Sequence, residues 1–128
     1  MDLADIKKNA KTAPSLSGNE TFEQLLQILG KVMTDSVEEP YHKIFVNVDF
    51  ADEDEANRGE VRPVTTALFR YRRSEGDAEK SFVVNNVNEV FKSIRKHLQS
   101  SGKGEVGGFT FTVGADKKFN LQVKYDDN

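Results

Sequence analysis

The sequence predicts an α+β domain: a mostly antiparallel sheet of about five strands with two main helices packed against it, in the order α-β-β-β-α-β-β. Two stretches carry apolar residues at helical spacing, and five shorter ones alternate with period two. The connections between successive strand segments are too short for the helical crossovers of a parallel sheet, so the pairing is expected to be antiparallel.

The opening residues have little to bury. Asp5–Lys11 suits a short helix that Pro14 stops, and Ser15, Ser17 and Gly18 read as linker. Residues 1–18 are therefore expected to form a flexible segment, with 19–128 as a single domain. The first main helix is expected from Phe22 to Ser36. Phe22, Leu25, Leu26, Leu29, Val32 and Met33 fall on one stripe, and Thr21 and Gln24 have capping-box spacing. Gly30 costs about 1 kcal/mol against alanine in such a helix, and is expected to admit a neighbouring backbone.

His42–Phe50 reads as the first strand. Ile44, Val46, Val48 and Phe50 point one way, while Phe45 on the other side implies that this face is partly covered as well. Residues 51–60 have no apolar periodicity and read as a hairpin loop. A second strand spans 64–72 after Pro63, Ser74–Asp77 turn the chain, and Lys80–Val84 form a short third strand. Asn86 and Glu89 have capping-box spacing for the second helix, which runs from Val87 to about Ser101 with Val90, Phe91, Ile94 and Leu98 inward and Gly102 as its stop. Lys92, Arg95, Lys96 and His97 gather toward its end, where positive charge complements the macrodipole. Glycine-rich residues 101–108 read as a flexible connection. A closing hairpin follows, Phe109–Val113 and Phe119–Tyr125 about a turn at Gly114–Lys117.

A chain of 128 residues, 37% hydrophobic and 30% charged, fits one globular domain. It has no apolar run near the roughly 18 residues of a membrane helix. Its first residues lack a signal peptide's basic start, and it contains no cysteine, so a cytoplasmic location is expected. The net charge of −3 and pI of about 5.4 argue against a general nucleic-acid binder. The charge is unevenly placed: Asp49, Asp52, Glu53, Asp54, Glu55 and Glu60 cluster against Arg58 alone, and the next segment holds Arg62, Arg70, Arg72 and Arg73.

No familiar catalytic constellation emerges. The Gly102–Gly104 and Gly107–Gly108 clusters follow a helix and precede a strand, the reverse of a phosphate loop. His42 and His97 are too few for a zinc site, no serine sits in G-x-S-x-G, and Asp52–Glu55 lack an EF-hand's central glycine and terminal glutamate. Neither enzyme activity nor a cofactor nor a metal is expected. What remains is charge. Asp49, Asp52, Glu53, Asp54 and Glu55, with the terminal Asp126 and Asp127, are the candidate partner-binding residues, suited to a basic protein surface. The alternative is a small nucleic-acid-binding or regulatory domain using Arg70, Arg72, Arg73, Lys92, Arg95 and Lys96. Against it, Phe69 and Tyr71 face opposite to Arg70 and Arg72 on a strand, so rings and guanidinium groups do not share a surface.

Gly108-Phe109-Thr110-Phe111-Thr112-Val113, a turn, then Lys118-Phe119-Asn120-Leu121 and Tyr125-Asp126-Asp127 resemble the C-terminal hairpin of YezG-like immunity proteins. Those proteins close on a similar strand, a "GKF" turn and a "Y-x-D" terminus. Lys117-Lys118-Phe119 stands here in place of the glycine-containing turn, and the tryptophan that opens the penultimate strand in the family is absent. The early helix and Lys43-Ile44-Phe45-Val46 are compatible with the same order, so the resemblance spans about Phe22 to Asp127. It implies a bacterial cytoplasmic antitoxin that binds a cognate polymorphic toxin, often a nuclease, and blocks it without chemistry. The resemblance carries over no partner-contacting residues.

Overall fold

The computed structural model describes residues 11–51, 64–76, 78–100 and 104–125. The elements are β1 (Lys11–Thr12), α1 (Phe22–Ser36), β2 (Tyr41–Phe50), β3 (Val64–Arg73), β4 (Glu79–Phe82), β5 (Val84–Asn85), α2 (Asn88–Gln99), β6 (Val106–Gly114) and β7 (Phe119–Tyr125). The architecture is α+β. A five-stranded antiparallel sheet in the order β4-β3-β2-β6-β7 is accompanied by a small parallel pair, β1 with β5.

The two helices form where the apolar stripes lie. At α1 the Thr21 hydroxyl accepts from the Gln24 N–H at 3.1 Å and the Gln24 amide oxygen accepts from the Thr21 N–H at 2.8 Å, a complete capping box. Before it, the Ser17 N–H and hydroxyl and the Gly18 N–H donate to the Glu20 carboxylate. At α2 the expected cap is not Asn86. Asn86 adopts a positive φ of 60° and turns its side-chain amide onto the Ala13 carbonyl, leaving Val87 as the cap residue with no side-chain bond.

That use of Asn86 explains a second departure. Residues 1–10 lie outside the described residues, but Lys11–Thr12 pair with Val84–Asn85, the Ala13 N–H donates to Asn85, and Ala13 is 1% exposed. The packed domain therefore reaches back at least to Lys11, not only to residue 19. The expected third strand divides for the same reason. β4 pairs with β3, Val83 swings out, and Val84 turns inward to meet β1.

The core lies between the sheet and both helices. Ile44, Val46, Val48 and Phe50 of β2, Phe69 and Tyr71 of β3 and Phe109, Phe111 and Val113 of β6 face Leu25, Leu29 and Met33 of α1 and Val90, Phe91 and Ile94 of α2. Phe91 sits between Phe69 and Phe109, with ring centroids 5.9 Å from each. Gly30 does admit a close neighbour, but it is a side chain: a Cβ there would lie 2.4 Å from Cζ of Phe119. β6 begins earlier than its alternation predicted, since Val106 and Gly108 already pair with Tyr125 and Lys124, with a bulge at Gly107 between them. Gly108 lies opposite Asp49, and a Cβ on it would meet the Val48 carbonyl oxygen at 2.4 Å. The expected Gly102 helix stop lies outside the described residues.

Candidate partner-binding surface

Both helices cover one face of the sheet, and period-two alternation turns the other set of side chains away from them. Among the described residues no helix lies on that second face. It presents Lys43, Phe45, Asn47 and Asp49 from β2, Thr66, Leu68, Arg70 and Arg72 from β3, Thr110 and Thr112 from β6, and Asn120, Gln122 and Lys124 from β7. Phe45 is only half-buried, with the Lys43 ammonium 5.0 Å from its ring centroid. Leu68, diagonal to it across the β2–β3 pair, is 46% exposed. The cover expected over Phe45 is thus its own neighbours, because both helices were drawn to the more apolar side.

The face is electrically divided along the strands. β2 is antiparallel to β6 and β6 to β7, so β2 and β7 run the same way and finish at one end of the sheet. Asp49 is opposite Gly108 and Gly108 opposite Lys124, two strand spacings that amount to about 10 Å. Asp49 itself is exposed and borders a shallow depression of about 290 Å³ shared with Asn47, Thr110, Gln122 and Lys124. The Thr110 hydroxyl donates to the Asn47 side-chain oxygen there at 2.7 Å. Asp52, Glu53, Asp54 and Glu55, and Asp126 and Asp127, lie outside the described residues. Their points of departure do not: Phe50 ends β2, with Ala51 next, and Tyr125 ends β7, at the same end of the sheet.

Lys124 is the one base of this face at the Asp49 end among the described residues, while Lys43, Arg70 and Arg72 occupy the other end, Lys43 being six residues, about 20 Å of strand, from Asp49. Here acids answer the bases. Arg70 Nη1 is 3.8 Å from Glu79, and Arg72 is opposite Glu79 in the β3–β4 register. On the helix side Glu39 accepts from Tyr71 Oη at 2.8 Å and from Arg73 Nε, with Lys80 Nζ at 3.6 Å. The Tyr71 hydroxyl, then Arg73 and Lys80, hold the Glu39 carboxyl below the ordinary carboxylate range. Burial, with Glu39 alongside, pushes the Tyr71 hydroxyl up to about 12. This cluster ties the segment before β2 to β3 and β4.

The basic set considered for nucleic acid is not one surface. Lys92 and Lys96 are on α2, over the helix-covered face, whereas Arg70 and Arg72 point from the opposite face. Arg95 is 5% exposed, so it cannot belong to a binding face. Its Nε donates to the Val106 carbonyl at 2.8 Å, its Nη2 to Glu105 at 2.9 Å, and its guanidinium lies 5.4 Å from the Phe50 ring centroid. Gln99, one turn on, accepts from the Val106 N–H at 2.9 Å. Arg95 and Gln99 together clamp both polar groups of Val106 and set the start of β6. The helix stripe alone gave no sign of this, since an arginine beside Ile94 reads as the flank of the apolar face.

Sequence reasoning singled out Asp49 but passed over the neutral middle of the open face, Asn47, Thr66, Leu68, Thr110, Asn120 and Gln122. The signal was present as the polar half of each alternating strand. It lacked meaning until both helices were seen to take the same side.

Among the described residues, the fold and surface define a helix-backed antiparallel sheet with one open face. Compared with models of protein families and with curated protein sequences, the chain matches none.

Proposed function

We propose that this chain is an immunity protein that binds a cognate bacterial toxin and neutralises it by stoichiometric occlusion, acting in the cytoplasm and without catalysis. One observation carries the reading: the sheet topology brings the roots of both acidic segments to a single end of an open face. Such an end can enter a basic cleft, as a nuclease toxin's phosphate-binding site would offer, while Phe45 and Leu68 supply apolar contact at the centre. The likeness of the closing hairpin to that of YezG-like immunity proteins supports the same class.

The test is to capture the partner with the tagged chain from its host, then express that partner with and without this chain. A partner toxic alone and tolerated in company is the expected result. Replacing Asp52, Glu53, Asp54 and Glu55 together by alanine should slow association by about tenfold or more at low salt, with the difference shrinking as salt rises. An unchanged association rate and affinity would place the contact elsewhere, and a non-toxic partner would overturn the reading.

A further inference from the structure

We propose that the free edge of β7 is a dimerisation edge, on which a second copy of this chain lays its own β7 antiparallel, centred on Gln122, to make one continuous sheet. The two sheet edges differ in a way that folding alone does not require. β4 is four residues long and begins with Glu79-Lys80, the short charged edge that discourages pairing. β7 is seven residues long, pairs only with β6 among the described residues, and carries a lysine at Lys124 alone. Its side chains are also half-clothed: Phe119 is 43% exposed, and Leu121, Val123 and Tyr125, which face the helix side, are only partly buried.

The hairpin bond states which backbone groups are available. The Gly114 N–H donates to the Lys118 carbonyl at 3.0 Å, so Lys118 and, by period two, Asn120, Gln122 and Lys124 turn their polar groups toward β6. Phe119, Leu121, Val123 and Tyr125 then direct theirs to the open edge. A two-fold axis through Gln122 matches this strand from end to end. It sets Leu121 against Val123 and Phe119 against Tyr125 as hydrogen-bonded pairs, apolar with apolar, and Asn120 against Lys124. All helices of the pair would lie on one side and the two open faces would join.

Gln122 provides the test, because the full chain has no cysteine of its own. In the proposed register the two Gln122 residues form a non-hydrogen-bonded pair with Cα atoms about 4.5 Å apart, within disulfide range. Sedimentation of the full chain over a concentration series should show a monomer–dimer equilibrium. Gln122→Cys should cross-link readily on mild oxidation, and Asn120→Cys, paired with Lys124 instead of itself, should not. Val123→Pro removes an outward N–H without touching the bonds to β6, and should be a folded monomer by circular dichroism and sedimentation. A chain monomeric at all concentrations overturns the proposal. So does a dimer that survives Val123→Pro, or one in which Asn120→Cys cross-links as fast as Gln122→Cys, and so does an edge filled only by another protein's strand.

Discussion

Arg95 offers the sharpest test of how this fold is held. Its replacement by alanine removes a charged hydrogen bond to the Val106 carbonyl, worth about 1.5–3 kcal/mol, and leaves that carbonyl buried. It also removes the guanidinium beside the Phe50 ring, about 0.5–2 kcal/mol, and the packing of the alkyl stem. The sum predicts a loss of about 3–5 kcal/mol, or a fall in melting temperature of about 10–20 °C for a domain of this size. Arg95→Met keeps the stem and should lose about 2–3 kcal/mol. Glu105→Gln should lose less than about 1 kcal/mol, because the Glu105 side chain is 45% exposed and water replaces much of its attraction. Urea titration gives each value from the midpoint at constant slope. If Arg95→Ala cost less than about 1 kcal/mol, or Glu105→Gln as much as Arg95→Ala, the clamp on Val106 would be the wrong account.

Gly108→Ala should destabilise by about 1–3 kcal/mol in the same titration, since its Cβ would press on the Val48 carbonyl and the strand backbone has little room to yield. Glu39 contributes stability that is fully present above its ordinary value of 4.5 and is lost as pH falls through its lower folded value. Thermal melts of Glu39→Gln should accordingly show a weaker acid dependence than the parent, with both proteins converging at low pH. Because the basic residues are divided between opposite faces and partly matched by acids, a generic single-stranded oligonucleotide should not bind at low salt by fluorescence anisotropy. Tight, steeply salt-dependent binding would favour the nucleic-acid alternative.

The elements were legible where local chemistry is sufficient. Thr21 and Gln24 cap α1 as their spacing requires, and the alternation of Ile44 to Phe50 and Phe109 to Val113 marks the strands and their buried side. Asn86 was misread because its spacing to Glu89 suits a cap, while the Ala13 carbonyl that claims it comes from the far end of the chain. The same long-range contact drew Ala13 into the core and split β4 from β5.

By itself the sequence determined the fold class, the two helix stripes, the inward face of each strand and the uneven placement of charge, because periodicity and local capping depend only on neighbours along the chain. That both helices would lie on the same side of the sheet, the burial of Arg95 and the separation of the basic residues onto two faces were decided by tertiary packing. The same holds for the acidic roots. Asp49 and Tyr125 are far apart in sequence, and only the order β2-β6-β7 brings their strands to a common end.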